Sequence, residues 1–121
     1  MSGLPGSDSA FCYVTTTGRR SGRPHTIEIW FAAAGPTLYV LAGGRERADW
    51  VRNLRANPTV GVRLADRQYR ARARELEAGS EEDDRARRLV LGKYQAPGAT
   101  DLESWGRTAL AVAFDLEDPS P

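Results

Sequence analysis

Apolar and polar residues alternate along several short runs of this chain, and glycine and proline separate the runs, as expected of a small antiparallel β protein. From Ala10 to Thr17 the run AFCYVTTT is dense in aromatic and β-branched residues and stops at Gly18, which predicts a strand. The next stretch, GRRSGRP from Gly18 to Pro24, sets two glycines and a proline around three arginines and predicts an exposed hairpin turn. Strand composition resumes over His25–Ala32 (HTIEIWFA) and, after the breaker Gly35-Pro36, over Thr37–Ala42 (TLYVLA), so that three strands in a meander are expected.

Gly43-Gly44 closes the third strand, and Ala48–Ala56 predicts a short helix with Trp50, Val51 and Leu54 on one face, stopped by Asn57-Pro58. In TVGVRL the residues Val60, Val62 and Leu64 alternate. After a turn at Ala65-Asp66-Arg67, a strand from Gln68 to about Leu76 sets Tyr69, Ala71 and Ala73 against Arg70, Arg72 and Arg74 on the other face. Ser80 with Asp83 three residues on resembles a capping box opening a helix over Glu81–Tyr94. Pro97-Gly98 breaks the chain, Asp101–Trp105 allows one short helical turn, and Thr108–Leu116 returns to strand. The order βββαββαβ argues against a parallel doubly wound sheet and for an antiparallel barrel with helices packed onto it.

A length of 121 residues with 40% hydrophobic content suits one domain, placed at 10–117 between flexible ends at 1–9 and 118–121. The net charge of +1 conceals an asymmetry: residues 18–74 hold twelve Arg against four acids, while residues 75–121 hold eleven acids against five bases. An Arg-rich front half suggests an anionic ligand, because guanidinium forks match phosphate and carboxylate oxygens. Nucleic acid is a poor alternative, since Arg70, Arg72 and Arg74 lack interleaved stacking aromatics. The lone Cys12 excludes an internal disulfide and fits a reducing compartment. With no signal-peptide pattern and no long apolar run, a cytoplasmic protein off the membrane is expected.

One His, one Cys and no close cluster that combines His with Asp or Glu give neither a catalytic triad nor a metal site. The glycine fingerprints of P-loop and dinucleotide-binding folds are absent. What remains is the basic turn GRRSGRPH, facing the loop AGGRER (Ala42–Arg47), where Gly43 and Gly44 admit a ligand and Arg45 or Arg47 adds charge. Together these form a candidate phosphate clamp; separately each also reads as an ordinary turn.

The segments TTTGRRSGRPHTIEIWF (Thr15–Phe31), LYVLAGG and WVRNLRANPTVGVRL (Trp50–Leu64) resemble the deazaflavin-dependent nitroreductase and quinone-reductase family. A fainter echo lies in Tyr94 and SWGRT. The resemblance implies a mainly β (α+β) split β-barrel of the pyridoxamine-phosphate-oxidase or FMN-binding type, with about six antiparallel strands and two or three short helices. It implies a homodimer that holds coenzyme F(420) and passes a hydride to a small electrophile such as a quinone, a nitro compound or an activated double bond. Position by position it gives Arg19, Arg20 and Ser21 to the anionic tail, and His25 to a place where relatives carry a base. Glu28 and Trp30 fall beside the ring, Gly43, Gly44 and Arg45 near ring edge and phosphate, and Trp50, Asn53 and Leu54 on the helix closing the groove. Tyr94 and Trp105 are substrate-side candidates. FMN in the same groove, or a non-enzymatic flavin- or haem-binding module, are the alternatives. This chain departs from the pattern in a shorter loop before Trp50, in Gly43-Gly44 for a familiar Ser-Lys pair, and in Glu28 for a small residue or proline.

Overall fold

The strand expected over residues 25–32 is two strands in the computed structural model, and the break between them organises the fold. The structure describes residues 6–94 and 108–119. Seven strands, β1 (Cys12–Thr17), β2 (Pro24–Ile29), β3 (Ala32–Ala34), β4 (Thr37–Ala42), β5 (Thr59–Leu64), β6 (Arg67–Glu75) and β7 (Leu110–Pro119), form one antiparallel sheet in the order β2-β1-β5-β6-β7-β4-β3. A single 3-10 turn (Arg45–Arg47) and two helices, α1 (Asp49–Ala56) and α2 (Glu81–Tyr94), complete the described elements. The expected short helix at 101–105 lies outside the described residues.

β2 and β3 are the two outer strands of the sheet yet are separated in sequence only by Trp30 and Phe31. A two-residue link spans well under ~10 Å, so the sheet curls until its edges approach. The result is the split β-barrel. This corrects the expected meander: β2 pairs with β1, whereas β4 pairs with β3 and β7. The corner forms because the Phe31 backbone leaves the ladder and finds a side chain instead. The Phe31 amide donates to the Tyr94 hydroxyl at 3.0 Å, and that hydroxyl donates to the Ala10 carbonyl at 2.6 Å, with the Phe31 carbonyl at 3.0 Å as a second acceptor. The Tyr94 ring stacks flat on Trp30, their centroids 4.4 Å apart. Tyr94→Phe should therefore lower stability by about 1–3 kcal/mol, the cost of orphaning buried backbone groups, and denaturant unfolding measures it.

Alternation decides what fills the barrel. Cys12, Val14 and Thr16 of β1, Val60, Val62 and Leu64 of β5, and Tyr69, Ala71 and Ala73 of β6 point inward and are buried with Leu38, Val40, Val112 and Phe114. α2 covers the other face of β4 and β7, where Ala86 and Val90 meet Tyr39, Leu41, Ala111 and Ala113. Its start is capped as the sequence suggests: the Asp83 amide donates to Ser80 Oγ at 3.1 Å, and the buried Asp83 carboxylate accepts from the Gly79 amide and pairs with Arg87.

Arg74 ties this helix to the sheet. Its guanidinium meets Glu82 at 2.6 Å and Asp115 at 2.7 Å, while Tyr39 donates to Glu82 and Thr37 to Asp115. The Arg74 hydrogen bond, then that from Tyr39, hold the Glu82 carboxyl down to about 2. A carboxyl lowered by folding stabilises the protein above its unfolded value of about 4.5, and that stability goes as pH falls toward 2. Arg74→Met is expected to flatten the stability profile across that window, as read by urea midpoints at stepped pH.

Candidate cofactor site

The turn between β1 and β2 closes on itself through three hydrogen bonds. The Gly18 amide donates to the Arg23 carbonyl at 2.8 Å, the Gly22 amide to the Gly18 carbonyl at 2.9 Å, and the Arg23 amide to Ser21 Oγ at 3.1 Å. Gly22 has a φ of 73°, the left-handed region that favours glycine. Gly18 is required for another reason. A Cβ there would lie 2.8 Å from both His25 Nε2 and Ser21 Oγ, so glycine lets these two side chains converge over the backbone.

Helix α1 fastens this turn from the other side. Asn53 is buried, at 3% exposure, and spends its amide on the turn and on β1. Its Oδ1 accepts from the Arg19 amide at 3.2 Å and from Arg19 Nη1 at 2.9 Å, and its Nδ2 donates to Thr16 Oγ1 at 3.1 Å. Arg19 Nη2 also reaches Asp49 at 3.3 Å. The helix itself is seated by Val51 and Leu54 in the core and by Trp50, whose ring tilts against Phe114 at a centroid distance of 6.4 Å.

Between turn, β2 and helix lies a cavity of about 520 Å³. Its wall includes Gly18, Arg19, Arg20, Ser21, His25, Thr26, Ile27, Asp49, Trp50 and Asn53. Six residues singled out from sequence thus come together: Arg19, Arg20, Ser21, His25, Trp50 and Asn53. Among the described residues Arg20 and Arg23 have no ion-pair partner, whereas Arg19 is held by Asn53 and Asp49. Asp49 and Gly18 were not singled out for the site; Asp49 is signalled by standing one turn before Asn53 on the same helix face.

The other candidates lie elsewhere. Gly43, Gly44 and Arg45 do not line this cavity: Arg45 takes a φ of 52° and its Nη1 donates to the Thr108 carbonyl at 2.6 Å. Leu54 is core. Trp30 stacks on Tyr94 at the far end of β2, and the Tyr94 hydroxyl is occupied by backbone. Trp105 lies outside the described residues. Glu28 stands on the outer face of β2, opposite to Ile27, and its carboxylate accepts from the Tyr13 hydroxyl at 2.8 Å. The negative charge that the sequence puts on this strand is therefore kept away from the cavity.

A family model described as F(420)H(2)-dependent quinone reductase matches residues 3–117. The chain belongs to this family. The F(420)H(2)-dependent quinone reductases are oxidoreductases, and the cofactor implied for this member is coenzyme F(420). Among solved structures, one described as an F(420)-H(2)-dependent reductase is 25% identical, with a TM-score of 0.72 over 94% of this chain and 98% of that one. A chain described as a domain-swapped dimer is 26% identical, with a TM-score of 0.72 over 88% of this chain and 81% of that one. A protein from Listeria innocua named for pyridoxamine 5′-phosphate oxidase is 16% identical at a TM-score of 0.68, covering 95% and 90% of the two chains, and shares the split-barrel fold. Among the described residues of this family member, no helix is long and apolar enough to cross a membrane.

The residues of the cavity are of a kind that can hold an anionic group. The cavity volume is that of a small-molecule site, Arg20 lines it without an ion pair among the described residues, and Gly18 makes room for the His25 and Ser21 side chains.

Proposed function

We propose that the chain holds F(420) in the cavity between the 18–25 turn and α1, and reduces an electrophilic small molecule: a quinone, a nitro compound or an activated double bond. The observation that carries this reading is the convergence of Ser21 and His25 over Gly18 in the cavity that Arg20 also lines, backed by the buried Asn53, in a member of an F(420)H(2)-dependent family. When bound, the reduced deazaflavin supplies a hydride. The protein's own residues bind and orient. Arg20, reinforced by Arg19, meets the anionic part of the cofactor; Ser21 and His25 offer hydrogen bonds beside it; Trp50 gives the apolar wall. Asn53 keeps turn and helix at a fixed separation, so that the site is formed before the cofactor arrives.

No nucleophile or metal is needed for hydride delivery, and water supplies the proton that completes reduction of a quinone to a quinol. We further propose that two chains pair, a reading supported by the likeness to the domain-swapped dimer; sedimentation at micromolar protein tests it. The activity is tested by mixing protein and reduced F(420) anaerobically with a quinone, a nitroarene or an enone, and following reoxidation of the deazaflavin. Turnover of at least one acceptor class is expected. No turnover with any of the three would count against the reading.

A further inference from the structure

Asp49 puts a negative charge on the wall of a cavity whose other charged groups suit an anion. Those groups, Arg19, Arg20 and His25, come from the turn and from β2. Asp49 comes from the facing side, as the first residue of α1. Its side chain is 84% exposed, and its carboxylate accepts from Arg19 Nη2 at 3.3 Å.

Structural duties leave this carboxylate largely free. An acid in the first turn complements the helix dipole, but Ala48 stands at the cap position and no side chain caps the start of α1, so Asp49 is not tied to the helix amides. Nor does the place of Arg19 depend on it, because Asn53 Oδ1 accepts from the Arg19 amide at 3.2 Å and from Arg19 Nη1 at 2.9 Å. What Asp49 changes is the charge of the wall. With Arg19 balanced by Asp49, Arg20 is the lining guanidinium without an ion pair among the described residues. Such a wall matches groups that carry one negative charge each. F(420) offers groups of this kind: its phosphate is a diester with a single charge, and each tail carboxylate has one. FMN does not, since its phosphate is a monoester whose second proton leaves at about pH 6, so that it is close to a dianion at neutral pH.

We infer that Asp49 is a specificity-determining residue: its carboxylate disfavours a dianionic phosphomonoester and tolerates singly charged groups, so that the cavity prefers F(420) to FMN. The inference rests on the placement of the cofactor's anionic part at the turn, proposed above. Water screens Asp49 while the cavity is open, and a ligand that fills the cavity displaces that water and meets the charge at close range. The repulsion is proportional to the ligand charge. Removing the carboxylate therefore changes the affinity of a dianion about twice as much, on a logarithmic scale, as that of a monoanion.

The test sets one flavin ring with two phosphate charges, FMN and its phosphate monomethyl ester, beside F(420), each titrated by its own fluorescence at low ionic strength. Wild type is expected to bind the methyl ester more tightly than FMN. Asp49→Asn should strengthen FMN about tenfold and the methyl ester and F(420) about threefold, the size of modest exposed charge contacts. The preference for F(420) over FMN then falls about threefold, and the difference between wild type and variant should shrink as salt is added. Asp49→Glu keeps the charge and should keep the wild-type preference. Urea unfolding of both variants checks that α1 still packs. Equal changes for FMN and its methyl ester in Asp49→Asn, or tighter binding of FMN than of its ester by wild type, would overturn the inference. Weaker binding of all three ligands by Asp49→Asn would also overturn it and make Asp49 a support for Arg19. If wild type binds the flavins but not F(420), the cofactor assignment fails, while the flavin pair still reads the charge selection at Asp49. If F(420) binds and neither flavin binds wild type or Asp49→Asn, the assignment stands and the inference fails. If no ligand binds, both fail.

Discussion

Asn53→Ala is expected to lower F(420) affinity at least tenfold and folding stability by about 2 kcal/mol, since it removes the partner of buried donors and acceptors. The Asn53 amide joins three things that are far apart in sequence: the Arg19 backbone, the Arg19 guanidinium and the Thr16 hydroxyl. With alanine the Thr16 hydroxyl, on a residue 1% exposed, has no such partner, and the turn is released from α1. The two effects can be told apart. Asn53→Asp keeps the oxygen that accepts from Arg19, and the Thr16 hydroxyl can rotate to donate to the carboxylate, so it should recover most of both losses. Urea unfolding reads the stability, and titration of deazaflavin fluorescence reads the affinity. Recovery of stability without recovery of affinity would mean that Asn53 supports the fold but not the site.

The second large effect is expected at the turn. Arg20→Ala should weaken F(420) about tenfold with little change in stability, because Arg20 is exposed and has no ion pair among the described residues. Adding Arg19→Ala should bring the loss to about a hundredfold and also destabilise, since Arg19 is bound to Asn53 and Asp49. FMN, with one phosphate and no glutamates, should lose less than F(420) in both variants. Equal losses for the two cofactors would place the arginines on the phosphate, and no loss would remove them from the site.

Much of this was legible in the sequence because a period of two is a local signal. Val60, Val62 and Leu64, or Tyr69, Ala71 and Ala73, announce their strands and their buried face without reference to anything distant. The same rule places Glu28 opposite to Ile27 and Ile29, away from the cavity, although only the register with Tyr13 identifies its partner. What sequence could not give is where a strand changes partner. HTIEIWFA is continuous in composition, and the break at Trp30-Phe31 depends on a hydroxyl from Tyr94, more than sixty positions away. The site divides in the same manner. Arg19, Arg20, Ser21 and His25 share one turn and were bound to lie together, and the family-like helix motif brought Trp50 and Asn53. Gly43, Gly44 and Arg45 looked like the facing half of a clamp, but the Arg45 guanidinium is drawn to the Thr108 carbonyl, a long-range contact that no local pattern encodes.

The decisive property of the 18–53 cavity is which cofactor it accepts. Parallel titrations of the purified protein with F(420), FMN and haem, each followed by its own fluorescence or absorbance, test this most directly. Micromolar or tighter binding of F(420), weakened by Asn53→Ala and Arg20→Ala, with FMN and haem binding more weakly, is the predicted result. Binding of FMN or haem in preference to F(420), or F(420) binding indifferent to both substitutions, would contradict it.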